Sequence, residues 1–148
     1  MRVPNGAKVI VIDGNKMLLM ENRGEAFEPR LEVLDEQRQD NPADREQATD
    51  RPGRAFSSVG SGRSAYQETD FHEQAEDNFA AEAAEQINRL SRDGGQGGIV
   101  VVASPRTLGR LRQHYAPDVS RCLLAEINKD LTGHPVPEIE RCLMQYEK

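Results

Sequence analysis

A single α/β domain built on a mixed sheet is predicted from three features of the chain. Three short strand-like runs fill the first 36 residues, an amphipathic helical pattern beginning at Asp70 leads into the unbroken apolar run "GIVVVAS", and helical and strand-like segments alternate from there onward. A length of 148 residues suits one domain with its own hydrophobic core, so the domain is read as spanning 1–148.

The elements follow in order. "AKVIVID" (7–13) is β-branched and apolar, as a buried strand requires. Asp13-Gly14-Asn15 reads as a hairpin turn in which Gly and Asn tolerate positive φ, and "KMLLMEN" (16–22) returns beside the first strand. Gly24 and Pro29 punctuate a loop before "RLEVLDE" (30–36), where Leu31 and Val33 alternate with charge. Three consecutive strands of this kind form an antiparallel meander.

Residues 37–69 change character: apolar residues nearly vanish, and Gly, Pro, Ser, Arg and Asp dominate. By composition this is a long polar loop, and such loops inside compact domains are usually functional or disordered. Asp70 with Glu73 resembles a capping box, and Phe71, Ala75, Phe79, Ala83, Ile87 and Leu90 form one apolar stripe behind it. Gly94, Gly95, Gly97 and Gly98 end that helix. "GIVVVAS" (98–104) does not alternate, which places it in the middle of a sheet with both faces covered.

Ser104 followed by Pro105 is an N-cap and a proline at the first helical position; Leu108, Leu111 and Tyr115 mark the buried side, and Pro117 ends the helix. "SRCLLAEIN" (120–128) fits either a helical period or a short strand by its residues alone. "PVPEIERCLMQYEK" (135–148) reads as a final helix carrying Ile139, Leu143 and Met144. The order is strand, strand, strand, long loop, helix, strand, helix, strand, helix, which is the element order of ribonuclease H-like folds. Fold alone carries no function.

Composition removes several function classes. Net charge is -6 and the pI is about 5.1, a poor default for nucleic-acid binding unless a local basic patch intervenes. Cys122 and Cys142 form no CxxC pair and have no suitably spaced His, so no metal site is expected; they fit a reducing cytoplasm as small apolar groups. The apolar run at the start is too short to span a membrane and lacks a signal-peptide cleavage site, so a cytoplasmic protein is expected.

A two-metal nuclease needs several carboxylates converging from strand ends. Asp13 ends the first strand, but the strand at 98–104 runs into Ser104 and Pro105 with no acid, so Asp13 is read as a turn residue. Ser104 has no paired His among His72, His114 and His134 and is read as a helix cap. No catalytic residue and no cofactor are assigned.

The stretch "TDRPGRAFSSVGSGRSAY" (49–66) sets Arg51, Arg54 and Arg63 on a Gly-rich backbone with little acid beyond Asp50. Guanidinium groups so placed suit capture of phosphate or carboxylate. "DRPGRAF" in this segment, the helix with Phe79, "VVVASPRTLGRLR" and "INKDLTGHP" together resemble the bacterial host-attachment protein family, over nearly the whole chain. The motifs are Asp50-Arg51-Pro52-Gly53-Arg54, Leu108-Gly109-x-Leu111-Arg112 and Lys129-Asp130-Leu131-Thr132.

That family is similar in turn to the central domain of archaeal and eukaryotic peptide-release factors, with its ribonuclease H-like core. The resemblance implies a strand at 120–128 and a non-enzymatic protein implicated in attachment to host cells. It implies an unknown protein partner, and in the alternative a release-factor-like factor that touches the ribosome or RNA. The candidate anion- or partner-binding residues are Asp50, Arg51, Gly53, Arg54 and Arg63, with Asp130 and Thr132 in second rank. Exposed sheet edges are compatible with a homodimer.

Gly94-Gly95-Gln96 spells the triplet with which release factors reach the peptidyl-transferase centre. In the release-factor domain that loop lies between the early strands and the long helix, whereas here the triplet follows the helix. Gly94 and Gly95 have a sufficient local role in ending it. The match is read as coincidence, and peptidyl-tRNA hydrolysis is not predicted from it.

Overall fold

The computed structural model describes residues 1–39, 61–93 and 97–147. Strands β1 (Lys8–Ile12), β2 (Lys16–Asn22) and β3 (Leu31–Arg38) form the antiparallel meander. Helix α1 (Ser61–Arg92) then crosses to β4 (Ile99–Ala103), which pairs parallel to β1. Helix α2 (Pro105–Arg112) and the single turn α3 (Val119–Cys122) lead to β5 (Leu123–Asn128), parallel to β4, and α4 (Val136–Gln145) follows.

The sheet order is β3-β2-β1-β4-β5. The mixed five-stranded α/β sheet expected from the sequence is therefore present, with the element order of ribonuclease H-like folds.

Two cores sit on the two faces, as the strand alternation dictates. On one face Ile10, Ile12, Val101 and Ala103 meet Phe79, Ala83 and Ile87 of α1 and Leu108 and Leu111 of α2. On the other, Val9, Val11, Val100, Val102 and Ile127 meet Ile139 and Leu143 of α4. All five residues of β4 are buried, because β4 lies between β1 and β5 with helices on both sides. Each fully buried aliphatic side chain contributes about 1.5–3 kcal/mol, so this strand is a main source of the driving force.

Several expectations are corrected. The long loop does not run to residue 69: Gln37 and Arg38 belong to β3, and α1 starts at Ser61 instead of capping at Asp70. Sequence reading took the loss of apolar residues as the end of the helix. A helix already docked on a sheet can extend one polar turn after another, since propagation is cheap once nucleation is done. Phe71 is accordingly exposed (57%), although the stripe from Phe79 onward is buried as expected.

The segment read as one strand over 120–128 divides: α3 takes its first residues and β5 the rest. Both readings of its periodicity were therefore partly right. Met144 is half exposed on the outer side of α4, although Ile139 and Leu143 are buried as read.

The turn after β1 needs no positive φ, which occurs only at Gly6, Gly97 and Gly98 among the described residues. The Asp13 carboxylate holds it instead, one oxygen accepting from the amides of Asn15 (2.8 Å) and Lys16 (2.7 Å). Side-chain amides do similar work elsewhere. Asn88 of α1 donates to the His114 carbonyl (3.0 Å) and accepts from the Ala116 amide (2.8 Å), which fixes the turn after α2. The Tyr115 hydroxyl in that turn is buried without a hydrogen-bond partner, and burial pushes its ionisation upward.

Gly109 lies inside α2 with an ordinary φ and open space where a Cβ would stand. Gly109→Ala should therefore raise stability by about 0.5–1 kcal/mol, because Ala loses less backbone entropy in a helix. Thermal unfolding should report a melting temperature about 1–4 °C higher for a domain of this size.

Candidate functional site

In sheets with parallel strands, ligands bind outside the carboxyl ends, where the strand order reverses. Here that point is the crevice between β1, which connects toward β2, and β4, which connects toward β5. Asp13 follows β1, Ser104 follows β4, and Asp130 follows β5, so all three stand at this end. β3 runs in the same direction as β1 and also ends here, and α1 passes this end at Ala75 and Glu76.

The geometry around Asp13 is specific. Its second oxygen accepts from the Thr132 hydroxyl at 2.7 Å, and Asp130 places a carboxylate oxygen 3.1 Å from the same hydroxyl. A hydroxyl has one proton, and the shorter contact takes it. Thr132 is buried, whereas Asp130 is exposed and keeps its hydration. The Lys16 ammonium donates to the Thr132 carbonyl (3.3 Å) and faces Glu36 at 3.7 Å. Arg38 hydrogen-bonds Glu36 and, with Lys16 nearby, holds its carboxyl below the usual range.

The helical side of the crevice is braced by ions. Arg110 of α2 bridges Glu76 (2.7 Å) and Asp77 (2.7 Å) of α1, with its own side chain mostly covered. Such a half-buried, two-armed guanidinium contributes more than an exposed pair. Glu76 also leans over Gly14, where a Cβ would come within 2.7 Å of its carboxyl group, so a larger residue at 14 would push the Glu76 side chain aside from this turn. Gln39 ties the end of β3 into the same rim: its amide donates to the Asn15 carbonyl (2.8 Å) and its side chain to the Ala75 carbonyl (2.6 Å).

The residues singled out from sequence divide accordingly. Asp130 and Thr132 come together with Asp13 at the rim, where the Thr132 hydroxyl joins two strand ends. Asp13 holds a turn, as read, and also anchors Thr132. Arg63 lies in the first turn of α1, on a helix and not in a loop. Asp50, Arg51, Gly53 and Arg54 lie outside the described residues, as does Gly94-Gly95-Gln96. Gln39, directly before 40–60, is placed at the carboxyl-end rim. The chain on either side of 94–96 is at the opposite, amino end of β4.

Sequence reasoning missed Lys16, Gln39, Glu76 and Arg110. Only the glycine at 14, directly after the strand-end acid, hinted that another element would press on this turn.

Ser104 caps α2, accepting from the Thr107 amide at 3.4 Å. Among the described residues no group of three or more His, Cys, Asp or Glu side chains is arranged to hold a metal ion. No helix among them is long and apolar enough to cross a membrane. The rim as described offers a carboxylate pair, an ammonium and a shared hydroxyl, which suit binding and positioning.

Comparison with known proteins places these observations in a family. No curated protein matches the chain. Among solved structures, the archaeal translation termination factor aRF1 aligns with 14% identity and a TM-score of 0.48, over 84% of this chain and 30% of that one. The chain thus spans less than a third of that protein's length. A family model described as bacterial archaeo-eukaryotic release factor family 12 matches residues 7–143. With nearly every element of the sheet and its helices inside that match, the chain belongs to bacterial archaeo-eukaryotic release factor family 12.

Proposed function

We propose that this protein is a release-factor-like factor that associates with the ribosome or its RNA, and that it contributes binding in place of peptidyl-tRNA hydrolysis. The observation that carries this reading is the family match over 7–143, which favours it over the attachment role suggested by the sequence motifs. The chain is acidic overall, so contact with phosphate requires a local cluster of cations. Arg51, Arg54 and Arg63 are that cluster in this proposal. Asp50 and Gly53 belong to the same proposed binding segment. Asp130 and Thr132 position the neighbouring rim.

The triplet at 94–96 follows the last turn of α1, whereas Ala75 and Glu76 in the middle of that helix border the crevice. This supports a local role for the triplet in the connection to β4.

Co-sedimentation with ribosomes from native lysate, with and without ribonuclease, tests the reading. Association should be lost on ribonuclease treatment and in the Arg51→Gln, Arg54→Gln, Arg63→Gln triple variant. The salt dependence of binding should also flatten, by a slope of about one per phosphate contact removed. Gln96→Ala should leave association intact. No ribosome association in the unmodified protein would refute the proposal. Capture of an envelope protein without ribosomal components would restore the attachment reading.

A further inference from the structure

We propose that the groove between the 23–30 turn and the outer side of α4 docks a segment of a partner protein carrying a large apolar side chain beside a carboxylate. The groove lies at the amino end of the sheet, away from the Asp13–Thr132 rim, and the inference does not depend on the ribosome reading. It encloses about 790 Å³, within the range of natural ligand sites. One wall is the stripe Pro137, Glu140, Arg141 and Met144, residues three to four apart on α4; the other is the turn from Arg23 to Arg30.

The walls are set before any partner arrives. The fully buried Asn22 side chain accepts from the amides of Gly24 (2.8 Å) and Arg30 (2.9 Å) and donates to the Val3 carbonyl (2.8 Å). Asn5 donates to the Gly24 carbonyl (2.9 Å), and the Glu140 carboxylate accepts from the Leu31 amide (2.7 Å), which ties α4 to the start of β3. A groove held this way loses little conformational entropy on binding.

Its chemistry selects the occupant. Arg30 and Arg141 line it with no carboxylate partner among the described residues, although Arg23 beside them is engaged by Glu21 and Glu32. Continuous with it through Met144 is a shallower hollow formed by Met1, Phe27, Leu124 and Tyr146, with the Arg2 guanidinium 5.6 Å from the Phe27 ring centre. Phe27 is 71% exposed and Met144 46%, an unusual cost for a protein this polar. Aromatic, Met and Arg side chains are the ones enriched at the centres of protein interfaces.

Glu25 and Glu28 in the groove and Glu147 at the hollow repel a chain charged at every unit, as a phosphodiester is, whereas one carboxylate set between Arg30 and Arg141 is met by the two guanidinium groups. A peptide with an apolar anchor for Phe27 and Met144 and a carboxylate for Arg30 and Arg141 meets both halves.

The test is an array of short synthetic peptides probed with the full chain. Each peptide holds a central Leu, Phe or Met flanked by Asp and Glu, by Lys and Arg, or by Ser and Gly. The strongest binder is then titrated by fluorescence anisotropy beside a single-stranded oligouridylate of matched length. Acid-flanked apolar peptides should bind best, and Phe27→Ala should weaken them about tenfold or more, as loss of a central anchor does.

The double variant Arg30→Glu, Arg141→Glu should transfer the preference to Lys- and Arg-flanked peptides, an effect that mere misfolding cannot produce. All three residues are exposed, so these variants should keep the parent's thermal unfolding profile. Binding without flank preference, binding indifferent to the double variant, no binding to any peptide, or tighter binding of the oligouridylate would each overturn the proposal.

Discussion

Asn22→Leu should lower stability by about 4 kcal/mol, the sum of two buried amides left without an acceptor at about 1–3 kcal/mol each. Leu keeps the branched four-atom outline of Asn and is somewhat larger, so no cavity forms and the loss comes from polarity, with any crowding adding to it. The amides concerned belong to Gly24 and Arg30, and the carbonyl of Val3 loses its donor as well. The expected fall in melting temperature is about 8–16 °C for a chain of this length. Hydrogen exchange should show lost protection at Gly24 and Arg30 before the central strands are affected.

Asn22→Asp gives a second check. It keeps an acceptor for the two amides but turns a second oxygen toward the carbonyls of Val3 and Glu25. In the folded state its carboxyl is held above the ordinary range by burial and by these carbonyls, which favour a donor proton. The variant should therefore be weakest at neutral pH and regain stability as pH falls through that raised value. A melting temperature unchanged by Asn22→Leu would mean that the 23–30 turn is held by other contacts.

Gly97→Ala is expected to cost about 3 kcal/mol or more, with about 1 kcal/mol from left-handed backbone and the rest from steric conflict. Gly97 has φ +78°, and a Cβ there would stand 2.5 Å from the Ala7 nitrogen and 2.8 Å from the Gly6 carbonyl carbon. Both are backbone atoms, so the conflict is relieved only by moving the entry to β1 or to β4. The carbonyl of the neighbouring Gly98 takes part in the pairing of these strands, accepting from the Lys8 amide at 2.9 Å.

Gly98→Ala meets the Leu124 side chain instead, a flexible group that can turn aside, although its φ of +90° is equally unsuited to Ala. Thermal unfolding should therefore rank Gly97→Ala as the more damaging. Equal melting temperatures for Gly97→Ala and the parent would show that the approach to Ala7 relaxes without cost. The pair also separates two uses of glycine in "GGQGG". Residues 97 and 98 are required by the sheet itself, whatever Gly94 and Gly95 do.

How much was legible beforehand follows from which forces are local. The meander, the buried run at 99–103 and the cap at Ser104–Pro105 were readable because strand alternation, β-branching and capping act between residues close in the chain. The start of α1 was not, because a polar segment becomes helical by extending a turn already docked on the sheet, which depends on Phe79 and Ile87 further along. The helical turn at 119–122 was hidden for a related reason, since four residues carry too little pattern to separate from the strand that follows.

At the candidate site the same division holds. The sequence by itself determined the mixed α/β architecture, the Arg/Gly composition of 50–66 and the presence of acids at 13 and 130, since each is a property of a short stretch read against known local preferences. Only the tertiary structure decided that Thr132 hydrogen-bonds Asp13 across 119 positions, that Glu76 lies against Gly14 and pairs with Arg110, and that Arg30 and Arg141 line one groove. Those contacts join residues far apart in the chain, and such distances are closed by the collective burial of β1, β4 and their helices, which no local pattern records.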